Sequence, residues 1–338
     1  MTDSRFQNII DGVAGYVGDT AGIIGENGDV IACTDPALIG KNERDALAGG
    51  RFLIKDAGSM RVFVSGSDDT AERVCGMLAF TVSDSQAVRD TNEERAGFIG
   101  KLIRGDALPE APVGIADRLG IRYSEPRTVY AVRAKTGRDI QPYHVLSRIF
   151  SDGDDFVVHV GGDDYAVVTG AKTADGDDAG EIADSIVDVI GTECFVSAAV
   201  GIGTTAVDLG KLQAAYSDAL FALETGRLFY PGRAVSRSGS LGVAGLINGL
   251  PKDACRAFLS EVKGAEQFDA ETLATVQAFF DNGLNVSETA RSIFVHRNTL
   301  LYRIEKIRRL TGLDIRTFDQ AVTLRLALMV RKYLEGTS

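Results

Sequence analysis

Between Arg291 and Arg309 the sequence holds six basic residues and one acidic residue. Arg291, Arg297, Asn298, Thr299, Tyr302, Arg303 and Lys306 fall in that stretch, and their chemistry suits a polyanion. Arginine and lysine neutralise phosphates, while an outward Asn or Arg near a helix N-terminus can make paired hydrogen bonds to base edges in the major groove. A second chemical candidate is Gly161-Gly162-Asp163-Asp164-Tyr165, where a glycine pair able to turn the chain precedes two carboxylates. Thiol and metal chemistry is poorly served. Cys33, Cys75, Cys194 and Cys255 lie far apart without a Cys-x-x-Cys pair, and His144, His159 and His296 do not cluster. Neither a zinc site nor a disulfide framework is expected, and no cofactor.

The basic residues can act together only if a helix places them on one face. The spacing predicts a first helix over 270–281, with Asp269 as N-cap and Leu273, Val276 and Phe280 inward. Gly283 stands where a left-handed residue would end it. A second helix begins at Ser287 and carries Ala290 and Ile293 inward, and Phe294-Val295-His296 makes a tight turn. The third runs from Arg297 to Leu310, with Leu300, Ile304 and Ile307 inward at i, i+4 and i+7. Its opposite face then carries Asn298, Thr299, Tyr302, Lys306 and Arg309. That is the pattern of a helix-turn-helix, although a basic surface helix in an all-α bundle shares its spacing. Thr317-Phe318-Asp319-Gln320 has the form of a capping box, opening a last helix with Val322, Leu326, Met329 and Tyr333 along one face.

The whole chain, 338 residues with a net charge of −11, looks at first unsuited to nucleic acid. The acidity is not evenly spread. Residues 271–338 hold ten basic and seven acidic side chains, a balance of +3, which leaves −14 for the remainder. An acidic body should repel the duplex and leave the tail to touch it. With 45% apolar and 25% charged residues the chain has the composition of folded globular protein. No run of 18 apolar residues occurs, so no membrane partner is expected, and Met1–Gln7 lacks the basic-then-apolar pattern of a signal peptide. A reduced, cytoplasmic protein is expected.

Upstream, residues 6–18 have helical apolar spacing, and Glu26-Asn27-Gly28-Asp29 reads as a hairpin turn between strands at 22–25 and 30–33. Further strands are expected at 61–64 and 74–82, and a helix over 86–106 stopped by Pro109 and Pro112. From 127 the pattern is strand 128–133, helix 143–150, strand 155–160, tight turn, strand 165–169, helix 179–190, strand 195–200 and helix 209–224. Ten acidic residues between Ser151 and Asp184, facing a single Lys172, read as solvated loop ends. From Ser240 the chain looks helical to its end.

The run from Ser287 to Ile304, with its Val-His-Arg-Asn-Thr-Leu-x-Tyr-Arg string, resembles the C-terminal helix-turn-helix of the PucR/CdaR family of bacterial transcriptional regulators; Thr311-Gly312-Leu313-Asp314 also fits. The resemblance implies DNA contacts from Arg291, Arg297, Asn298, Thr299, Tyr302, Arg303 and Lys306. Gly161–Tyr165, Ser197–Gly203 and Ala215–Phe221 are similar to the diguanylate cyclase fold, a degenerate copy of which this family carries in mid-chain. Cyclisation needs carboxylates holding two metal ions, yet the first strand, Tyr130–Lys135, has no acidic residue, and Asp164 stands for the longer Glu of the signature. Ile23–Gly40 resembles the sugar-diacid recognition domain of the CdaR-type members, which implies a PAS- or Cache-like pocket with Thr34, Asp35, Lys41, Arg44 and Arg61 as candidate ligand contacts.

The expected architecture is therefore multidomain α+β. A PAS/Cache-like sensor spans 1–90, a linker helix 91–110, a degenerate GGDEF-like, ferredoxin-like α/β domain 111–239, and an all-α helix-turn-helix domain 240–338. The expected function is transcriptional regulation, with activation the favoured sign. Its expected partners are double-stranded operator DNA, a small-molecule effector such as a dicarboxylate or glycerate-like acid, and further copies of itself in a homodimer or higher homo-oligomer. The alternative is a diguanylate cyclase or nucleotide-binding signalling protein.

Overall fold

The computed structural model describes residues 4–16, 20–135, 140–151, 153–171, 178–262, 264 and 267–336. It divides into two compact units, one up to Gly97 and one from Phe98 onward.

In the first unit, helix α1 (Ser4–Val13) precedes strands β1 (Ala21–Ile24) and β2 (Val30–Cys33), joined through the Asn27-Gly28 turn with Gly28 at a φ of 82°. A short helix α2 (Glu43–Ala46) leads to β3 (Phe52–Ala57) and β4 (Met60–Ser65). The four strands form an antiparallel sheet in the order β2-β1-β4-β3. Strand alternation splits the core between the two faces. Ile23, Val62 and Val64 pack with Phe6 and Ile10 of α1, while Ile24, Val30 and Phe63 lie with Ala46 on the other side. β3 escapes a periodicity search because Lys55 and Asp56 interrupt its apolar alternation.

The expected strand at 74–82 is wrong: those residues lie in α3 (Asp69–Arg104), a helix of 36 residues. Its N-terminus is marked by Asp68, whose carboxylate accepts from Ala71 N at 2.7 Å. Val74, Cys75, Leu78, Ala79 and Val82 are buried at helical spacing against the sheet. A nine-residue run rich in β-branched and aromatic side chains hid that period. The expected boundary at residue 90 consequently falls inside a helix, and no separate linker helix begins at 91.

In the second unit, Phe98, Ile99 and Ile103 at the end of α3 join the core beside α4 (Pro112–Arg118). Then follow β5 (Arg127–Ala134), α5 (Pro142–Ile149), β6 (Phe156–Gly161), β7 (Asp164–Gly170), α6 (Asp178–Glu193), β8 (Ala198–Ile202), α7 (Leu212–Phe229) and β9 (Val235–Arg237). The sheet order is β6-β7-β5-β8-β9, antiparallel except for the parallel pair β8–β9. The four strands β5 to β8 thus have the arrangement of a ferredoxin-like β-α-β-β-α-β unit. α5 and α6 cover one face, and α7 with α4 and the end of α3 covers the other. β8 starts three residues later than expected, because Phe195 precedes it in a left-handed conformation with φ 56°.

The acidic residues of this unit do more than face solvent. Asp154 accepts from Arg122 Nε at 2.9 Å, and Asp155 accepts from Gly170 N at 3.2 Å. Residues 152 and 172–177, including Lys172, lie outside the described residues.

The remaining elements are helical: α8 (Gly242–Asn248), α9 (Lys252–Glu261), α10 (Ala270–Asp281), α11 (Val286–Ser292), α12 (Arg297–Thr311) and α13 (Phe318–Gly336). α13 buries Ala321, Leu324, Ala327, Val330 and Tyr333, a face rotated from the expected Val322, Leu326, Met329 and Tyr333. The helix is apolar on most sides, so periodicity alone could not choose the face. Nor does the capping box close. Thr317 Oγ1 donates to Asp314 O, and Gln320 Oε1 accepts from Asp314 N.

Candidate nucleic-acid interface

Three helices of the C-terminal set, α10, α11 and α12, begin with a side-chain cap. Asp269 Oδ1 accepts from Thr272 N at 2.7 Å, and hydrogen bonds from the Thr272 side chain and then its backbone hold the carboxyl below the usual carboxylate range. Asn285 Oδ1 accepts from Ser287 N and Glu288 N at 3.0 and 3.2 Å. His296 Nδ1 accepts from Asn298 N at 3.2 Å and so caps α12. The His296 cap was not read from the sequence, because histidine ranks low among N-caps.

The helix ends are equally defined. α10 closes with Gly283 N donating to Phe280 O and Leu284 N to Phe279 O, with Gly283 at a φ of 61°. α11 closes in the same way: Phe294 N donates to Arg291 O, Val295 N donates to Ala290 O, and Phe294 has a φ of 55°. Both ends are Schellman motifs. The turn between α11 and α12 is therefore four residues long, 293–296, and fixed by backbone hydrogen bonds.

Leu300, Ile304 and Ile307 are buried with Ala290, Phe279 and Leu324, which sets the orientation of α12. Its outer side presents Asn298, Tyr302 and Lys306 as one ridge at i, i+4 and i+8, with Arg297 and Thr299 exposed at the N-terminal end. Tyr302 is 69% exposed. Arg291, on α11, is exposed, and its guanidinium lies 3.8 Å from Glu288. Lys306 Nζ lies 3.8 Å from Asp269.

Arg303 departs from expectation. Its guanidinium donates to Glu271 Oε1 at 2.5 Å and to Thr275 Oγ1 at 3.1 Å, tying α12 to α10. Those hydrogen bonds commit it to bracing the helix and leave Arg297, Asn298, Thr299, Tyr302 and Lys306 as the outward set. Glu271 lies 32 positions away in the sequence, so spacing could not reveal the pairing.

The second chemical candidate closes on itself. Gly161 and Gly162, with φ of 153° and 57°, form the β6–β7 hairpin. Arg133 on β5 is registered opposite Asp164 on β7. It donates to both Asp164 oxygens at 2.5 and 2.8 Å and to Glu224 of α7 at 2.5 Å. The Asp164 hydrogen bonds, followed by Glu224, hold the guanidinium pKa above the ordinary arginine value against its desolvation. A cation thus lies against the carboxylate that a metal site would need. Among the described residues no group of three His, Cys, Asp or Glu could hold a metal ion.

Three of the candidate ligand residues of the first unit have partners within it. Thr34 Oγ1 accepts from Ala21 N at 3.0 Å, Asp35 accepts from Ala37 N at 2.9 Å, and Arg61 pairs with Glu43 at 2.7 Å. Lys41 and Arg44 are exposed. A cavity of about 800 Å³ does occur in this unit, but none of the five lines it. Its walls include Ile31 and Met60 as apolar floor and four carboxylates, Glu26, Asp29, Asp90 and Glu93.

Known proteins match the chain in two segments. Residues 272–330 match the PucR C-terminal helix-turn-helix domain, and residues 104–225 match the GGDEF-like domain. The second match begins inside α3, seven residues before the expected domain start at 111. Among curated relatives, the purine catabolism regulatory protein of Bacillus subtilis (strain 168) is 28% identical over 138 residues, 40% of this chain and 26% of that protein. The carbohydrate diacid regulator of Escherichia coli (strain K12) is 41% identical over 56 residues, 17% of this chain and 14% of its own. The proline-responsive transcriptional activator PutR of Bacillus subtilis is 34% identical over 67 residues, 20% of this chain and 16% of its own. The chain thus spans about a quarter or less of the length of these relatives. α10 to α13 form a helix-turn-helix domain that follows a GGDEF-like domain. The chain is thus similar, over part of its length, to regulators of the PucR and CdaR kind.

Proposed function

We propose that the chain is a DNA-binding transcriptional regulator, acting as an activator under the control of a small metabolite. The observation that carries this reading is the outward ridge of Asn298, Tyr302 and Lys306 on a helix whose other face is buried. Such a helix enters the major groove by its N-terminal residues, so Arg297 and Asn298 read base edges while Lys306 and Arg291 meet phosphates. Activation is supported by the name of one relative alone. A homodimer follows from the physics of recognition. One helix reads too few base pairs for useful specificity, and a two-fold dimer matches paired half-sites. The cytoplasm is the compartment that this reading requires, and among the described residues no helix is long and apolar enough to cross a membrane.

For the effector, we retain a small metabolite and withdraw the preference for a diacid. None of the residues proposed to hold carboxylates lines the cavity of the first unit, and Arg61 is already paired with Glu43. A dicarboxylate in the cavity of the first unit would meet four like charges. The sheet order β2-β1-β4-β3 backed by helices supports a PAS-like sensor.

The test is a titration of full-length protein on duplexes that it enriches from a random library. Asn298→Ala is expected to weaken binding by about 1–3 kcal/mol. Lys306→Ala should chiefly flatten the salt dependence, by the equivalent of about one phosphate contact. An unchanged affinity for Asn298→Ala would remove α12 as the reading helix. Cyclase activity is not part of this proposal, because Arg133 occupies both oxygens of Asp164. Incubation with GTP and Mg²⁺ should yield no cyclic dinucleotide, and formation of one would reverse that judgement.

A further inference from the structure

We propose that Phe294 is a base-reading residue, its ring taking an apolar contact with a thymine methyl group beside the bases faced by Arg297 and Asn298; this rests on the reading of α12 as the recognition helix.

The argument begins from a comparison within the same domain. α10 and α11 end in the same Schellman motif, with the same pair of backbone hydrogen bonds. At the left-handed position the first uses Gly283, φ 61°, and the second uses Phe294, φ 55°. Glycine is the usual residue there because a Cβ is penalised in that conformation. A side chain tolerated at such a site normally compensates by packing, and Leu284 (φ 62°) does so at the end of α10. Phe294 does not. Its neighbours Ile293 and Val295 pack against the domain core, while Phe294 itself is 95% exposed. Fold stability therefore gives no reason for an aromatic side chain at this position.

Location supplies the reason. Phe294 lies three residues before Arg297, in the turn that precedes the N-terminus of α12. That end of a recognition helix is the part nearest the bases. A ring there meets the one apolar feature that the major groove offers, the thymine C5 methyl. Phe195 shows that the conformation alone is not informative. It has a φ of 56° and is 88% exposed, but it lies three residues before β8 and not in the turn that leads into α12. Among the described residues, only Phe294 combines the strained backbone, the solvent-facing ring and the place beside the residues read as base contacts.

The experiment uses full-length wild-type protein, Phe294→Gly and Asn298→Ala on a duplex enriched by the wild type. Each thymine is replaced in turn by deoxyuridine, which removes only the methyl group. Wild type should lose about 4-fold in affinity at one thymine per half-site, the effect of exposing one buried methyl. Phe294→Gly should bind the thymine duplex more weakly by at least that factor and be indifferent to the same replacement. Because glycine accepts the positive φ, this variant should melt no lower than wild type, which separates lost contact from lost fold. Wild-type affinity for Phe294→Gly would overturn the assignment, as would equal weakening on both duplexes or a half-site without a sensitive thymine. If Asn298→Ala also binds as wild type does, the recognition-helix reading falls, and the role of Phe294 falls with it. If Asn298→Ala weakens binding while Phe294→Gly does not, only the present inference fails.

Discussion

Replacing Gly201 by alanine is expected to destabilise the GGDEF-like domain by roughly 3 kcal/mol or more. A Cβ at Gly201 would stand 1.9 Å from Ala219 O and 2.7 Å from Leu223 N, both backbone atoms of α7. Gly203 stands in the same relation to Ala215 O, at 2.1 Å. β8 and α7 are thus in contact backbone to backbone, and no rotamer change can make room. The helix has to lift from the sheet, which would loosen Leu212, Ala215, Ala219 and Leu223 from the core that they share with Val129 and Ala131. A domain stable by the usual 5–15 kcal/mol would lose a large part of that margin. Urea denaturation followed by circular dichroism measures it, with the transitions of the two units fitted separately. An unchanged midpoint would mean that α7 can shift at little cost.

Leu300→Ala should have an effect of similar size in the helix-turn-helix domain. Leu300 is fully buried and packs with Ile304 and Ile307 on the inward face of α12. Truncating a buried leucine costs about 2–5 kcal/mol, depending on how far the surroundings collapse into the space. Here collapse is resisted on several sides. The α11–α12 turn is fixed by its Schellman bonds, Arg303 ties α12 to α10, and α13 closes the core through Leu324. DNA affinity should fall together with stability, although Leu300 faces away from the outward ridge, because the ridge depends on the buried face for its position. Thermal melting and the same duplex titration measure the pair. Wild-type behaviour in both would mean that α12 holds its orientation without this contact.

The two predictions mark different kinds of legibility. The helix-turn-helix could be read almost to the residue. Asp269 caps α10, and α12 begins at Arg297 and buries Leu300, Ile304 and Ile307 as expected. Helix periodicity and caps connect residues three or four apart, so that information is local in the chain. The ferredoxin-like strands were also found, since each is a short apolar run bounded by turn residues. Two strands were missed. β3 is broken by charges, and β9 is three residues long and has meaning only as the parallel neighbour of β8.

Composition and spacing by themselves determined the chemical character of this protein: an acidic body carrying a basic helix, with no thiol or histidine cluster to do metal chemistry. They also determined which face of α12 is polar. How closely each of its charges is held was decided by tertiary structure alone. Arg303 and Lys306 look alike on a helical projection, yet Glu271 and Thr275 of α10 claim the first and leave the second half-exposed. In the GGDEF-like domain Arg133 similarly closes on Asp164 and on Glu224, 91 positions away. The physical reason is the same in both places. A side chain's type follows from its own position in the sequence, but its availability depends on partners that only the folded chain brings within hydrogen-bonding distance.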